Sequence, residues 1–385
     1  MSGVETLNKP PYYIPSMEEI ASISDNGFNV VSTFSGCGGS CLGFKMAGFK
    51  VLWANEFIPA AQEVYRINHP EVILSTDDIR KVQPEDILRS IQLQKGEIDV
   101  VEGSPPCASF SSSGRRDRTW GQIKKYSDTK QRTDDLFFEF IRVVEGLQPR
   151  VFVAENVSGL VRGRAKGYFK EILKGLRDCG YKVEAKLLDA QWLGVPQHRE
   201  RVIFIGVRND LNKDPEFPFP LPYRYSLKDA IPNIIRERYA DGSWRLSNKP
   251  AATVLQSGSS VSLSAKMNGG GYIEIETDIS GSCIGVEYDK IKSGEGSKKY
   301  QNLLKASWDR PSPTVTQAGG HKGTAAVVHP TEKRKYSIQE LKRICSFPED
   351  FKLTGTFEQK WERLGRAVPP LMMKAIAEII RDKVL

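Results

Sequence analysis

Several features that would assign this chain of 385 residues to other protein classes are scarce or missing. No run approaches the ~18 apolar residues that a membrane helix needs. The first 26 residues lack the basic start and apolar core of a secretory signal. Only four histidines and six cysteines are present, and no second pair accompanies Cys37 and Cys41 to complete a zinc site. We therefore expect a reduced cytoplasmic protein that is not secreted, contacts no membrane and holds no metal.

Negative charge is also in the minority. Lysine and arginine number 55 against 47 aspartates and glutamates, which gives a formal net charge of +8. Such an excess suits a polyanionic partner, although many basic proteins bind no nucleic acid. With 39% hydrophobic and 26% charged residues, the composition is that of an ordinary globular protein, long enough for two domains.

Strands and helices alternate from residue 29 to 208, which predicts a doubly wound, mostly parallel α/β sheet. Apolar and β-branched runs predict strands at 29–34, 50–54, 72–74, 98–101, 151–154, 181–188 and 202–207. Helical patterns lie between them at 41–47, 59–68, 84–93, 134–144 and 167–179. We expect residues 29–208 to form one α/β domain.

The segments that flank residues 29–208 differ from them in composition and hydrophobic pattern. Residues 1–28 contain three prolines and a short helical pattern near 17–23, which predicts an N-terminal extension. Residues 209–309 begin with a proline-rich linker and are polar and rich in glycine and serine, which predicts a smaller, irregular β-rich domain. Helical patterns return in 310–385, so this segment is expected to rejoin the domain of residues 29–208. Residues 249–258 also resemble 310–319, at an offset of 61 residues, but two copies do not make a repeat protein.

A glycine-rich turn follows the first predicted strand. A glycine turn between strand and helix lets a ligand approach the backbone. The dinucleotide fingerprint G-x-G-x-x-G would need glycine where Cys41 stands, so this is not the pyrophosphate-binding version. Glu56 lies 20 residues after Gly36, at the end of the second strand, where such sheets hold ribose hydroxyls. Together they indicate a nucleoside-bearing cofactor without a required phosphate.

Cys107 ends the stretch Gly103-Ser104-Pro105-Pro106-Cys107, directly after a buried strand. Two prolines stiffen that turn and hold the cysteine at the carboxyl edge of the sheet, where ligands bind. The alternative is an inert cysteine of the core. The basic loop 108–132 follows, and Glu155 reaches the same edge from the next strand.

In this order the segments resemble the motifs of the DNA cytosine-C5 methyltransferase family, over roughly residues 29–208 and 308–382. The matching segments are Phe34–Gly39, Glu56 with Asp78 and Ile79, Pro105–Cys107, Glu155–Val157, Gln197-x-Arg199-x-Arg201, Arg310–Val315 and Gly365–Val368. Two residues depart from the family pattern. Ala108 replaces the usual glutamine after the cysteine, and Arg366 replaces the usual asparagine of the last motif, which is Gly365–Val368 in this chain.

The resemblance implies the S-adenosylmethionine-dependent methyltransferase fold, with S-adenosylmethionine as cofactor and S-adenosylhomocysteine as product. It makes residues 29–208 the catalytic and cofactor-binding domain, to which residues 310–385 return. The implied cofactor-binding residues are Phe34, Ser35, Gly36, Cys37, Gly38, Gly39, Glu56, Phe57, Asp78, Ile79, Pro106, Leu136, Ala367 and Val368. The implied DNA-binding residues are Ser111, Arg115, Arg116 and Gln197, and residues 209–309 would recognise the target in the major groove of double-stranded DNA.

The resemblance also implies a reaction. Cys107 adds as a thiolate to carbon 6 of cytosine, which makes carbon 5 nucleophilic enough to take a methyl group. A thiol has an unperturbed pKa near ~8.5, so the site must favour the anion. Glu155 donates to ring N3 and must therefore be protonated, while Arg199 and Arg201 hold the base oxygen and orient Glu155. Because the cytosine cannot be reached inside a duplex, it must flip out, and loop 108–132 closes over it.

Three other functions stay open on the sequence: a tRNA cytosine methyltransferase on the same fold, a catalytically inactive DNA-binding relative, and an NAD-dependent oxidoreductase. The ~100-residue small domain favours duplex recognition, the presence of Cys107 and Glu155 argues against inactivity, and Cys41 argues against NAD. The absence of accessory domains favours a monomeric prokaryotic or phage modification enzyme, with any restriction endonuclease acting separately.

Overall fold

The computed structural model describes residues 9–106, 124–127, 129–131, 133, 135–161, 166–231, 236–238, 244–246, 277–321 and 323–385. Its strands are β1 (Asn29–Thr33), β2 (Lys50–Asn55), β3 (Ile73–Ser75), β4 (Val100–Gly103), β5 (Lys124–Tyr126), β6 (Thr129–Gln131), β7 (Val151–Val157), β8 (Tyr181–Asp189), β9 (Glu200–Arg208), β10 (Arg236–Arg238), β11 (Trp244–Leu246), β12 (Leu304–Lys305) and β13 (Val327–Val328). Its α-helices are α1 (Met17–Ala21), α2 (Gly39–Met46), α3 (Pro59–Asn68), α4 (Pro84–Ile91), α5 (Leu136–Leu147), α6 (Lys166–Asp178), α7 (Leu227–Ala230), α8 (Cys283–Tyr288), α9 (Ile338–Ile344), α10 (Phe357–Arg366) and α11 (Pro370–Ile379).

The main sheet confirms the predicted fold class. Seven of the described strands lie in the order β3–β2–β1–β4–β7–β9–β8. The pairs β3–β2, β2–β1, β1–β4 and β4–β7 are parallel, whereas β9 runs antiparallel to both of its neighbours, β7 and β8. From β1 the chain adds β2 and β3 on one side of the sheet, and then β4 and the later strands on the other side. The carboxyl ends of β1 and β4 therefore form the crevice in which doubly wound sheets bind ligands.

The antiparallel pair changes two predicted strand ends. β7 continues to Val157, three residues past the predicted end, and β9 begins at Glu200, two residues before the predicted start. The ladder between them runs without interruption from Val151 opposite Val207 to Val157 opposite Arg201. Backbone pairing therefore extends both strands into polar residues that hydrophobicity alone does not mark as strand.

Both faces of the sheet are buried, and adjacent residues of each central strand serve opposite layers. Val30 and Val100 point to the layer that contains α2 and α11, whereas Val31 and Val101 point to the layer of α4, α5 and α6. Through Met372, Met373 and Ile376, α11 contributes to the same core as the glycine-turn helix α2. The C-terminal helix α11 thus packs in the same layer as the helix that follows β1.

The N-terminal segment lies on this body: the Tyr12 hydroxyl donates to the carbonyl of Arg343 at 2.7 Å. Around residue 300 a small apolar cluster joins Ile284 of α8 and Leu303 to Val328. Residues 247–276 lie outside the described residues, so the boundaries 209–309 and the first copy of the repeat at 249–258 stay predictions. None of the helices in the described ranges is long and apolar enough to cross a membrane.

Candidate active site

The glycine-rich turn after β1 is sterically fixed at two positions. Gly38 adopts φ +90°, and a Cβ there would lie 2.1 Å from Nε2 of the buried His69. A Cβ on Gly39 would lie 2.4 Å from the carbonyl oxygen of Val368. Only glycine fits in this turn, because His69 packs beneath it and the last motif packs directly against it.

Hydrogen bonds from Arg199 hold the last motif in position. Its side chain is buried, and its guanidinium donates to the carbonyls of Val315, Gly365 and Ala367 at 3.3, 3.1 and 3.0 Å. The two terminal nitrogens of the guanidinium are thus engaged by backbone carbonyls, whereas Nε has no hydrogen-bond partner among the described residues. That Arg199 holds the cytosine oxygen stays a prediction.

Glu56 lies at the end of β2, where the sequence predicts an acid that binds ribose. Its two carboxylate oxygens accept the backbone amides of Gly36 and Ile58, each at 2.7 Å. Burial raises the pKa of Glu56, and these amide donors oppose that rise. Since each carboxylate oxygen has a second lone pair, Glu56 can still accept a hydroxyl group from a ligand.

A pocket opens between this turn, the ends of β2 and β4, and the last motif. Every predicted cofactor-binding residue except Gly38 lines it. Ile58 and six polar or charged residues, which were not predicted to bind the cofactor, complete the lining. The predicted lining residues are Phe34, Ser35, Gly36, Cys37, Gly39, Glu56, Phe57, Asp78, Ile79, Pro106, Leu136, Ala367 and Val368. The additional polar ones are Ser40, Asn55, Ser104, Gln131, Arg363 and Arg366.

The charged groups of the pocket are organised in two clusters. At one end, Arg80 bridges Asp78 and Asp135 at 3.1 and 2.7 Å. At the other, Glu362 accepts Arg366 at 2.7 Å and lies 3.1 Å from Arg363.

Within the second cluster, burial raises the pKa of Glu362, but Arg366 and Arg363 outweigh it and lower that pKa below its usual value. Burial raises the pKa of Glu56 as well, and the same two guanidinium groups oppose that rise, so two cations face two carboxylates on this side of the pocket. Glu362 and Arg366 are four residues apart on one helix, and this spacing in the sequence could have predicted their ion pair.

The donors and acceptors of the pocket fit a nucleoside joined to an amino acid. Glu56 can accept hydroxyl groups, Phe34, Ile79 and Leu136 supply apolar walls, and the guanidinium groups of Arg363 and Arg366 suit a carboxylate. The cofactor that the sequence predicts, S-adenosylmethionine, is a ligand of this kind.

The predicted catalytic residues Glu155 and Arg201 lie on β7 and β9. Because Val157 lies opposite Arg201 in the antiparallel ladder, Glu155 and Arg201 share one face of the sheet as diagonal neighbours. Nε of Arg201 lies 2.6 Å from Oε1 of Glu155, and both side chains are largely buried. This ion pair fixes the orientation of Glu155.

Asn156 connects β7 to the predicted nucleophile. Its buried amide Nδ2 donates to the carbonyl of Pro105 at 3.0 Å, so the turn that leads into Cys107 is held against β7. Pro106 lies at the pocket wall. Cys107, Ser111, Arg115 and Arg116 lie outside the described residues.

Gln197, predicted to contact DNA, is fully buried. Its Nε2 donates to Sγ of Cys345 at 3.4 Å, and its backbone pairs with Ser312. Its Oε1 has no hydrogen-bond partner among the described residues. Contact between Gln197 and DNA stays a prediction.

Comparison with known proteins identifies relatives along nearly the whole chain. The family model of C-5 cytosine-specific DNA methylases matches residues 28–382. Type II methyltransferase M.NgoPII of Neisseria gonorrhoeae is 30% identical and covers 95% of this chain and 98% of its own length. Type II methyltransferase M1.HphI of Haemophilus parahaemolyticus is 33% identical, with 91% and 86% covered.

Solved structures share the fold. An E. coli prophage protein described as a DNA modification methyltransferase matches with a TM-score of 0.67 at 23% identity, over 93% of this chain and 99% of that one. DNMT2 of Spodoptera frugiperda matches with a TM-score of 0.60 at 17% identity, over 92% and 98%. At these identities the likeness shows the architecture alone.

Proposed function

Because the chain belongs to the C-5 cytosine-specific DNA methylase family, we propose that it methylates carbon 5 of a flipped-out cytosine in a short duplex DNA sequence, through a covalent bond to Cys107. The observation that carries this assignment is the arrangement at the sheet edge. The Glu155–Arg201 pair and the Asn156 contact to Pro105 bring the acid and the nucleophile's turn together beside the pocket.

S-adenosylmethionine, on which this family depends, would supply an electrophilic methyl group when bound. In the proposal Glu56 accepts the ribose hydroxyls, and Phe34, Ile79 and Leu136 enclose the base. The guanidinium of Arg366, which replaces the family's asparagine, faces the carboxylate of the cofactor's amino acid part. Ala367 and Val368 contribute backbone, since the last motif is packed on the glycine turn.

The protein's own residues prepare the cytosine. Cys107 adds to carbon 6, and Glu155 delivers a proton toward ring N3 as negative charge develops there. Arg201 holds Oε1 of Glu155, which leaves Oε2 as the oxygen that would carry the proton. Carbon 5 would then take the methyl group. Loss of its proton to a base or to water, elimination of Cys107 as a thiolate and return of the N3 proton to Glu155 restore the enzyme. The cost of flipping, a few kcal/mol, is offset by contacts made to the extruded base.

The DNA partner follows from charge and from the relatives. The basic loop 108–132, with Ser111, Arg115 and Arg116, would contact phosphates around the extruded nucleotide. Residues 209–309 would recognise the sequence. Several relatives carry the name type II methyltransferase, and we propose the same modification role here. The enzyme would act as a monomer in the bacterial cytoplasm, and any cognate endonuclease would be a separate protein.

The test is transfer of a labelled methyl group to unmethylated genomic DNA, followed by bisulfite sequencing. We expect methylation at one short motif, abolished in Cys107→Ser. Glu155→Gln should lower kcat by about 10²–10⁴-fold while S-adenosylhomocysteine still binds. A duplex with 5-fluorocytosine at the target should give a denaturant-stable adduct with wild type only, because fluorine blocks elimination. Transfer to tRNA but not to DNA, or full activity of Cys107→Ser, would overturn the proposal.

A further inference from the structure

A buried carboxylate that the proposed reaction does not use lies directly behind the cofactor pocket. Glu102, at the end of β4, is 1% exposed. Its carboxylate accepts the hydroxyls of Ser32 and Ser40, the latter at 2.9 Å, and lies 3.9 Å from Sγ of Cys41. No lysine or arginine among the described residues forms an ion pair with it, which is unusual for a buried acid.

The groups that face Glu102 come from each element packed around it. Ser32 belongs to β1, and Ser40 and Cys41 to α2, which also carries Lys45. Tyr65 of α3 donates to Cys41 at 3.2 Å, and Glu155 is the nearest acid on β7. Burial raises the pKa of Glu102 to about 7, Ser32 and Ser40 oppose this, and the charge of Glu155 adds to it. Burial also raises the pKa of Cys41 to about 12, so that thiol does not titrate near neutrality.

Glu102 is separated from the pocket by one layer of hydroxyl groups. Ser40, which donates to its carboxylate, lines the pocket. Ser35 also lines it, and its hydroxyl is 2.8 Å from that of Ser32, the other donor to Glu102. Two residues along the chain, Ser104 forms part of the same wall. A charge on the buried Glu102 therefore acts on a ligand through one layer of hydroxyl groups, and electrostatic interactions are weakly screened at buried sites.

We propose that Glu102 is a specificity-determining residue whose negative charge makes the pocket prefer a sulfonium ligand over the neutral thioether product. This rests on the proposed function, because it takes S-adenosylmethionine and S-adenosylhomocysteine as the ligands. The two differ by one methyl group and one positive charge, so a fixed anion behind the pocket separates them. Ionisation of Glu102 would then govern product release.

A purely structural role makes a different prediction. Through its hydrogen bonds Glu102 ties β1, α2 and β4 together, and loss of those bonds would weaken both ligands alike. An electrostatic role changes the ratio of the two affinities, and only at pH values where the carboxyl is ionised. By linkage, binding of the cation must also release protons near pH 7.

The experiment is isothermal titration calorimetry of the full-length protein with S-adenosylmethionine and with S-adenosylhomocysteine, without DNA, between pH 6 and 8.5. In wild type we expect the preference for the sulfonium to rise by roughly fivefold or more as pH increases through 7. In Glu102→Gln this rise should vanish. Comparison at each pH cancels titration of the ligands themselves. Exposed Glu97→Gln is the matched control and should behave as wild type.

Two further measurements guard against a variant that folds poorly. Wild type titrated at pH 7 in buffers of different ionisation enthalpy should release more protons with the sulfonium than with the thioether. Glu102→Asp, which keeps the charge, should restore the rise. Equal proton release for both ligands, or the same pH-dependent ratio in wild type and Glu102→Gln, overturns the inference. If wild type binds neither ligand, the proposed function falls with it.

Discussion

Two buried glutamates show how neighbours decide the charge of a side chain. Glu340 receives the guanidinium of Arg334 at 2.7 Å; burial raises its pKa, but the ion pair outweighs burial and leaves it lowered. Glu102 receives hydroxyls only, and its pKa is raised to about 7. Hydroxyl donors stabilise a carboxylate less than a cation does, so burial dominates in the second case.

The raised pKa of Glu102 makes stability depend on pH. A carboxyl whose folded-state pKa lies above its ordinary 4.5 contributes stability that is fully present below about pH 4.5 and is lost as pH rises through about 7. Glu102→Gln removes this loss. The free energy of unfolding of the variant should therefore gain on wild type by about 3 kcal/mol between pH 4.5 and 8, as an order of magnitude. Urea unfolding at both pH values tests this, and parallel pH profiles would contradict it.

Arg366 permits a ligand-based prediction at the same scale. If its guanidinium binds the cofactor's carboxylate, Arg366→Ala should weaken S-adenosylhomocysteine about tenfold or more, as for a charge-assisted hydrogen bond. The decarboxylated analogue, S-adenosyl-3-thiopropylamine, should bind wild type and variant alike. Calorimetry measures both. An equal loss for the two ligands would mean that Arg366 acts only through its bond to Glu362.

At the scale of elements, the bounds that depend on the local sequence pattern were predicted better than those that depend on pairing with a distant strand. The helix Pro59–Asn68 matches its predicted bounds, because the proline marks its start and the apolar period is clear. The extension of β7 to Val157 was missed, since it depends on a ladder with a strand 44 residues further along the chain. The burial of Arg199 and Gln197 was missed for a similar reason: the segment that covers them is remote in sequence.

The junction between α2 and the last motif can be tested with two glycines. Gly39→Ala places a methyl group against the Val368 carbonyl, a backbone atom that cannot rotate away, and should lower the free energy of unfolding by about 1–3 kcal/mol. Gly167→Ala, on the exposed face of α6 with nothing within 4 Å, should raise it by about 0.5–1 kcal/mol. Thermal unfolding of the pair measures the contrast, and a Gly39→Ala variant as stable as wild type would show that the last motif can shift.

At the scale of the whole molecule, one core is assembled from both ends of the chain. Phe44 of α2 and Met372 of α11 are both fully buried in the layer on one face of the sheet. No pattern within either segment announces this partnership. The sequence motifs placed the two segments at one cofactor, and the structure shows that they also share a hydrophobic core.

That shared core implies that damage to α11 destabilises the catalytic domain. Met372→Ala should lower the free energy of unfolding by about 2–5 kcal/mol, because it empties a fully buried site. Val286→Ala on α8, where the side chain is 57% exposed, should change it by less than about 0.5 kcal/mol. Urea unfolding followed by circular dichroism of the sheet domain would reveal the difference, and similar costs for both variants would refute the shared core.

The pocket wall joins residues that are more than 300 positions apart, such as Cys37, whose thiol contacts the carbonyl of Arg363. A ligand held there is therefore a reversible cross-link between distant parts of the chain. At a hundredfold excess over its dissociation constant it would add about 2.7 kcal/mol to stability. Amide hydrogens of the glycine turn and of the last motif should then slow their exchange with solvent together, as though the two segments were neighbours in sequence.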